Sequence, residues 1–353
     1  MATMRRTLLV LAAIATWCGV ARAETLVKVG WCAPVINTAA APFAIAQQMG
    51  WYAQGGIRVQ LVPLPGSTDC VKEVATGDLP YSQPSVEPLA IIRPQGVKAK
   101  VFYTAYQSNI YGLAVPADSP IHSFADLRGK SIGVTTMGSA GVIVARAMVA
   151  DAGLDPQTDV RIVVGGEGGQ AAALLRSHQL DALSQFDAAY ALIENAGVKL
   201  RMLDNSRIAK FPSNGMIALE KTLAEHRDVA VTLGRGYAMG TIFAMANPEA
   251  AVRMLWALYP QTKPVSKEGD AALQDGLRPL VARFHSFELA SGGVSKWGES
   301  SLTNYDAYVD FLVKWHIVPQ KVPAADLVTN DLVDDINRFD AAAVVAQAKA
   351  WKP

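Results

Sequence analysis

The chain has few of the features that would assign it a chemistry outright. Of its 353 residues, three are cysteines and five are histidines. His122, His178, His226, His285 and His316 are scattered. None stands at ligand spacing from a cysteine, which argues against a zinc site, and no Ser-His or Cys-His pair can be built from them. Walker, H-E-x-x-H and G-x-S-x-G sequences are missing. Gly165-Gly-Glu-Gly-Gly169 departs from G-x-G-x-x-G and reads as a flexible turn. No metal, cofactor or catalytic residue is therefore expected. Neither sign of charge is in surplus: 32 basic and 31 acidic residues leave a formal charge of +1. That excludes a basic field for nucleic acid and a polybasic membrane patch. With 51% apolar and 18% charged residues, the chain is globular and long enough for two domains.

Residues 1–23 carry the three parts of a secretory signal in order: Arg5-Arg6, the apolar run Thr7 to Val20, and Ala21-Arg22-Ala23 before Glu24. Removing Arg5, Arg6 and Arg22 takes the formal charge from +1 to −2. Trp17 before Cys18 fits a lipoprotein signal poorly. A soluble periplasmic protein is expected. Beyond this segment no apolar run approaches membrane-spanning length without charges. Cys32 and Cys70 remain, and an oxidising compartment permits a disulfide between them. A structural bridge is the favoured state, two free thiols the other.

The mature chain alternates strand and helix. Thr25–Trp31, Ile57–Leu64, Leu79–Gln83, Lys98–Tyr106 and Tyr111–Val115 read as strands of a first α/β unit. A composition break at Pro116-Ala-Asp-Ser-Pro120 suggests a crossing into a second unit, with strands at Ser131–Val134, Val160–Val164, Ala182–Gln185 and Lys199–Leu203. Residues 205–214 look like the return. From Lys221 onward the pattern is mainly helical, with helices at Pro248–Leu258, Asn304–Trp315 and Asn330–Ala350. The expected fold is α/β with two lobes, their strands parallel, a cleft between them and a helical C-terminal region. Lobe I is 24–115 plus 212–353, and lobe II is 116–211.

Polar residues recur at the strand-to-helix turns, where strand C-termini and helix N-termini would line such a cleft. The most developed turn is Thr135-Thr136-Met137-Gly138-Ser139, between the strand ending at Val134 and a helix closed by Gly153. The others are Ser67, Thr68 and Asp69; Gln83, Ser85 and Glu87; Glu167 and Gln170; and Gln185 and Asp187. Each alone is more often a helix cap than a ligand contact. Five on one cleft make a binding site the better joint reading. Trp31, Phe43, Tyr106, Tyr111 and Phe186 could give it flat walls, and Thr38 adds a hydroxyl.

Four stretches carry a resemblance to a known family: Ala40-Ala-Pro-Phe-Ala-Ile-Ala-Gln-Gln-Met-Gly-Trp-Tyr52, Phe124-Ala-Asp-Leu-Arg-Gly-Lys-Ser-Ile-Gly-Val134, Leu180-Asp-Ala-Leu-Ser-Gln-Phe-Asp187 and Pro212-Ser-Asn-Gly215. With the element order, they resemble the nitrate/sulfonate/taurine-binding periplasmic proteins of ABC transporters. That family includes binders of thiamine pyrimidine precursors. The resemblance implies a type II-like two-lobe fold that closes on a small solute and delivers it to an inner-membrane permease; a monomer that is not an enzyme is expected. It places ligand contacts at the turns matching Thr135–Ser139, Ser67–Thr68 and Gln185–Asp187. Two other functions remain open on the same fold: pyrimidine-precursor synthesis and periplasmic ligand sensing. The former suits the chain less, which lacks those enzymes' cysteine-rich motif. The cleft turns carry Asp69, Glu87, Glu167 and Asp187 but no arginine or lysine, which disfavours a bare anion such as nitrate or sulfate. The ligand expected is organic: a sulfonate, an aromatic or carboxylate compound, or a pyrimidine. The best fit has an acceptor group on the Thr135–Ser139 turn and donors facing a carboxylate.

Overall fold

A computed structural model describes residues 24–265 and 267–352. The expected signal at 1–23 lies outside the described residues. Ten strands form two sheets: β1 (Thr25–Trp31), β2 (Ile57–Pro63), β3 (Tyr81–Ser82), β4 (Ala99–Thr104), β5 (Tyr111–Pro116), β6 (Ser131–Val134), β7 (Arg161–Val164), β8 (Ala182–Phe186), β9 (Leu200–Met202) and β10 (Gly215–Leu219). The first sheet has the order β2-β1-β3-β10-β4 and the second β7-β6-β8-β5-β9. Local pattern accounts for much of this. In β2, Ile57, Val59 and Leu61 are buried while Arg58 and Gln60 alternate outward.

Each sheet is mixed rather than parallel. β1 runs parallel to β2 and β3, and β6 parallel to β7 and β8. β10 and β5, the strands made just after the chain changes sheet, pair antiparallel with their neighbours. A strand arriving from the other lobe needs no helical crossover, so nothing holds it to the parallel direction. The position of β5 also moves the lobe boundary. It pairs with β8 and β9, so the first crossing falls within 105–110 and not after residue 115. The Pro116–Pro120 stretch is the loop by which the chain leaves β5. The return runs between β9 and β10.

Helices cover the sheets. The helix Ala140–Asp151 begins where Ser139 Oγ accepts from the Gly141 N–H at 3.0 Å and is followed by Gly153 at φ +79°. The stretch 40–52 divides into Ala41–Gln48 and Trp51–Gln54 because Gly50 takes φ +72°. The expected long helix Asn330–Ala350 also divides, into Val333–Ile336 and Ala341–Ala350. Asp340 Oδ1 accepts from the N–H groups of Ala342 and Ala343 at 2.9 and 3.1 Å and so caps a new helix. The helix Arg227–Ala246 is long and apolar enough to cross a membrane, but it is the core helix of lobe I, mostly buried. It lies so close to Ala41–Gln48 that a Cβ on Gly240 would stand 2.1 Å from the Pro42 carbonyl oxygen. Cys32 and Cys70 form a disulfide that ties the end of β1 to the helix Ser67–Thr76.

Candidate functional site

The strand ends of the two sheets converge on a cavity between the lobes. Trp31 ends β1, Gln83 follows β3, Tyr106 follows β4, Tyr111 starts β5 and Phe186 ends β8; all five line it, with Cys32, Asn37, Ile110, Asn214 and Arg283. Its free volume is about 30 Å³, roughly that of two water molecules. A metabolite-sized guest therefore requires the lobes to part. The indole of Trp31 donates through Nε1 to the Val35 carbonyl at 2.9 Å. Gln83 donates through Nε2 to Tyr237 at 3.1 Å, which leaves its Oε1 buried without a partner. Asn214 donates to the Gln83 carbonyl at 2.9 Å.

Arg283 changes the electrostatics expected of this cleft. It follows the helix Gly269–Ala282, in the C-terminal region, and is 2% exposed. Its guanidinium pairs with Asp187 Oδ1 at 2.5 Å. Its Cζ lies 4.4 Å from the Tyr106 ring centre and 5.7 Å from that of Phe186, an arrangement that favours a cation. Burial pushes the Asp187 carboxyl up, while Arg283 and the Ala188 N–H draw it back. The cleft therefore does hold a cation, and the expectation of uncompensated carboxylates there is corrected. That cation is already matched by Asp187, and its Nε is buried without a partner.

The turns at Ser67–Asp69 and Thr135–Ser139 meet directly instead of facing each other across open space. Thr136 Oγ1 donates to the Pro65 carbonyl at 2.8 Å, and the Thr68 N–H donates to that of Gly138 at 3.1 Å. A Cβ on Gly66 would stand 2.4 Å from the Gly138 oxygen, and one on Gly138 2.3 Å from Asp69 Oδ2. These residues form the closed seam of the two lobes. Asp69 sits there beside the N-terminus of Ala140–Asp151, whose dipole favours a carboxylate.

The remaining residues divide. Phe43 belongs to the lobe I core, 4.7 Å from Tyr237 in an edge contact. Glu87 is buried behind the cleft, where Tyr308 donates to it and burial pushes its carboxyl up; Ser85 donates through its N–H to Ser67 Oγ at 3.1 Å. Thr38 sits between two residues that line the cavity. Thr135, Glu167 and Gln185 occupy adjacent strand ends of lobe II, and Gln185 Nε2 donates to the Gly166 carbonyl at 2.7 Å. Burial raises the Glu167 carboxyl to about 7. Thr38, Asp69, Gln83, Thr135, Glu167, Gln185 and Asp187 each hold a buried polar atom with no partner in the protein, and of these residues Gln83 lines the cavity. Among the described residues no group of three or more His, Cys, Asp or Glu side chains could hold a metal.

Sequence reasoning gave no role to Asn37, Asn214 or Arg283. Asn214 lies in one of the family-like stretches, and Arg283 is a lone cation in the apolar run Pro279–Phe284. Either could have been flagged on those grounds.

The chain has the periplasmic-binding-protein fold. It covers 87% of its length, with TM-score 0.64 and 15% identity, on 98% of the alkanesulfonate-binding protein SsuA of Xanthomonas axonopodis pv. citri bound to MOPS. It also matches the desulfurization enzyme DSZB, with TM-score 0.54 and 15% identity over 89% of this chain and 99% of that one. The same fold thus serves binding and catalysis. A curated relative, the riboflavin-binding protein RibY of Chloroflexus aurantiacus, is 24% identical over 241 residues, 67% of each chain. Residues 37–251, which run from the cavity loop through lobe II into the core helices, match the NMT1/THI5 like family, and the chain belongs to that family.

Proposed function

We propose that this protein is the periplasmic solute-binding component of an ABC importer. It captures a small, flat, polar organic molecule between its lobes and delivers it to an inner-membrane permease. The observation that carries the reading is the aromatic cavity of Trp31, Tyr106, Tyr111 and Phe186 closed by the buried Arg283–Asp187 pair. Aromatic walls favour a ring by stacking. A matched ion pair gives a bare anion no net charge to bind, and such an anion would have to displace Asp187. An acceptor atom on the ring is served by Arg283 Nε, and a donor by Gln83 Oε1. Thr136 and Gly138 act at the seam of the closed lobes. The fold and the heteroaromatic in the name of RibY agree with this, and the signal-like residues 1–23 agree with export. Catalysis is disfavoured: the sulfur nearest the cavity, Cys32, is locked in a disulfide, no histidine lines the cavity, and the carboxylate beside it is paired.

A thermal-shift screen of flavins, pyrimidines, aromatic acids, alkanesulfonates, nitrate and sulfate tests the reading. A ring compound with N–H and C=O groups at a hundred times its Kd adds about 2.7 kcal/mol. Stabilisation by nitrate, sulfate or a plain alkanesulfonate instead overturns it, and turnover of the bound compound favours an enzyme.

A further inference from the structure

The helix Gly269–Ala282, with Arg283 after it, touches the elements of both sheets. On one side it packs against the helix Pro248–Leu258 and the turn Thr38–Ala40. Pro248–Leu258 itself packs on Ala41–Gln48 and Arg227–Ala246, which cover the first sheet. The approach is close: a Cβ on Gly276 would stand 2.8 Å from the Val252 side chain and 3.0 Å from the Trp256 ring. On the other side the helix meets Asp187–Asn195, which follows β8 in the second sheet. Asn195 donates through Nδ2 to the Asp275 carbonyl at 2.8 Å, and its Oδ1 accepts from Arg278 Nη1 at 3.3 Å. At the other end Arg283 pairs with Asp187 at 2.5 Å. From Asp187 to Asn195 and from Asp275 to Arg283 are eight residue steps each, about 12 Å of helix. The two helices therefore run antiparallel, pinned at both ends of a two-turn contact.

We propose that the helix Gly269–Ala282 is the strap of the cleft. It stays with the first sheet, docks along Asp187–Asn195 as the lobes close, and carries Arg283 into the cavity in the same movement. Both of its flanks are tied on the first-sheet side. Before it stands Pro248–Leu258. After it, the Ser286 carbonyl accepts from the Gln107 N–H at 2.7 Å, and the Phe287 ring lies 5.7 Å from that of Tyr106, just beyond β4. The seat on Val252 and Trp256 is apolar and interlocked. The pins at Asn195 are polar and reach the exposed Arg278, so water replaces them at little cost when the helices part. Opening then draws Arg283 away from Asp187, and the cleft holds its cation only when closed.

Thr68 supplies a readout that needs no ligand. Its N–H lies in the first turn of the helix Ser67–Thr76, where no helical carbonyl precedes it. Its partner is the Gly138 carbonyl across the seam at 3.1 Å. Its hydrogen exchange, followed by NMR in the full mature protein, measures how often the lobes part. In Asn195→Cys/Arg278→Cys the two helices are joined with bismaleimidoethane; Cys32 and Cys70, bonded to each other, offer no competing thiol. The cross-link is expected to slow Thr68 exchange about tenfold or more, relative to the same variant before joining. Asn195→Ala, which needs no cross-link and removes both pins at that end, is expected to speed it about fivefold or more. The Gln83 N–H, which donates to the Gly30 carbonyl at 3.1 Å within the first sheet, keeps its rate in both. Three outcomes overturn the strap. Thr68 exchange unchanged by the cross-link means that the helix moves with the second sheet. Thr68 exchange unchanged in Asn195→Ala means that the pins do not hold the closed form. Equal slowing of Gln83 and Thr68 means that the link stabilises the whole fold instead.

Discussion

Arg283, which follows the C-terminal helix Gly269–Ala282, and Asp187, which follows β8, meet at 2.5 Å beside the interlobe cavity, with the guanidinium 2% exposed. The pair joins the C-terminal helices to the start of the helix Asp187–Asn195 and sets the charge of the cleft.

Arg283→Met leaves Asp187 buried without its cation, and breaking such a pair costs roughly 3–5 kcal/mol. Arg283→Met/Asp187→Leu removes both charges and is expected to be more stable than the single variant. Urea unfolding of the three proteins, compared at constant m, checks this.

Glu167 gives stability a pH dependence. Burial raises its carboxyl from 4.5 to about 7. Between those values the folded protein holds a proton that the unfolded chain has lost. Stability from this group is complete below the lower value and falls as pH rises through the folded one, by no more than about 3 kcal/mol. Glu167→Gln is expected to flatten the slope between pH 5 and 8, measured by denaturation at several pH values.

Gly66 has extended backbone at φ 178°, so alanine there meets no backbone strain. Its Cβ would stand 2.4 Å from the Gly138 oxygen in the other lobe. Gly66→Ala is therefore expected to favour the open form, with a larger radius of gyration in X-ray scattering, weaker ligand binding and a melting temperature close to wild type.

The Cys32–Cys70 disulfide spans 38 residues, for which the chain-entropy account gives about 4 kcal/mol. Cys32→Ser/Cys70→Ser is expected to lose roughly 2–4 kcal/mol in chemical denaturation. It also frees the loop whose Val35 carbonyl holds the Trp31 indole, so ligand affinity falls as well.

Local signals were legible in the sequence. β1 and β6 have the expected bounds, and the family-like stretch Asp126-Leu-Arg-Gly129 owes its residue types to structure. Asp126 accepts from the N–H groups of His122 and Ser123 at 3.0 and 2.9 Å, Arg128 pairs with Asp159, and Gly129 takes φ +75°. What depends on distant partners was not legible. Pro116–Pro120 signals a loop as strongly as a crossing, so β5 could not be assigned to its sheet. The hydroxyls of Thr135–Ser139 suit a ligand, a helix cap or an opposing turn equally: Ser139 Oγ caps its own helix, whereas the Thr136 hydroxyl meets the Pro65 carbonyl from a turn distant in the chain. Arg283 enters the cleft through packing of the C-terminal helices, which no local pattern encodes.

The proposed guest is a flat ring held beside Arg283 rather than a small anion. Mass spectrometry of protein purified from its native cells identifies the guest. Calorimetric titration of that compound then compares wild type with Trp31→Ala and Arg283→Lys. The guest expected is a neutral ring compound bearing N–H and C=O groups, with affinity about tenfold or more lower in both variants. Nitrate, sulfate or an aliphatic sulfonate as the guest, bound with wild-type affinity by both variants, would contradict it.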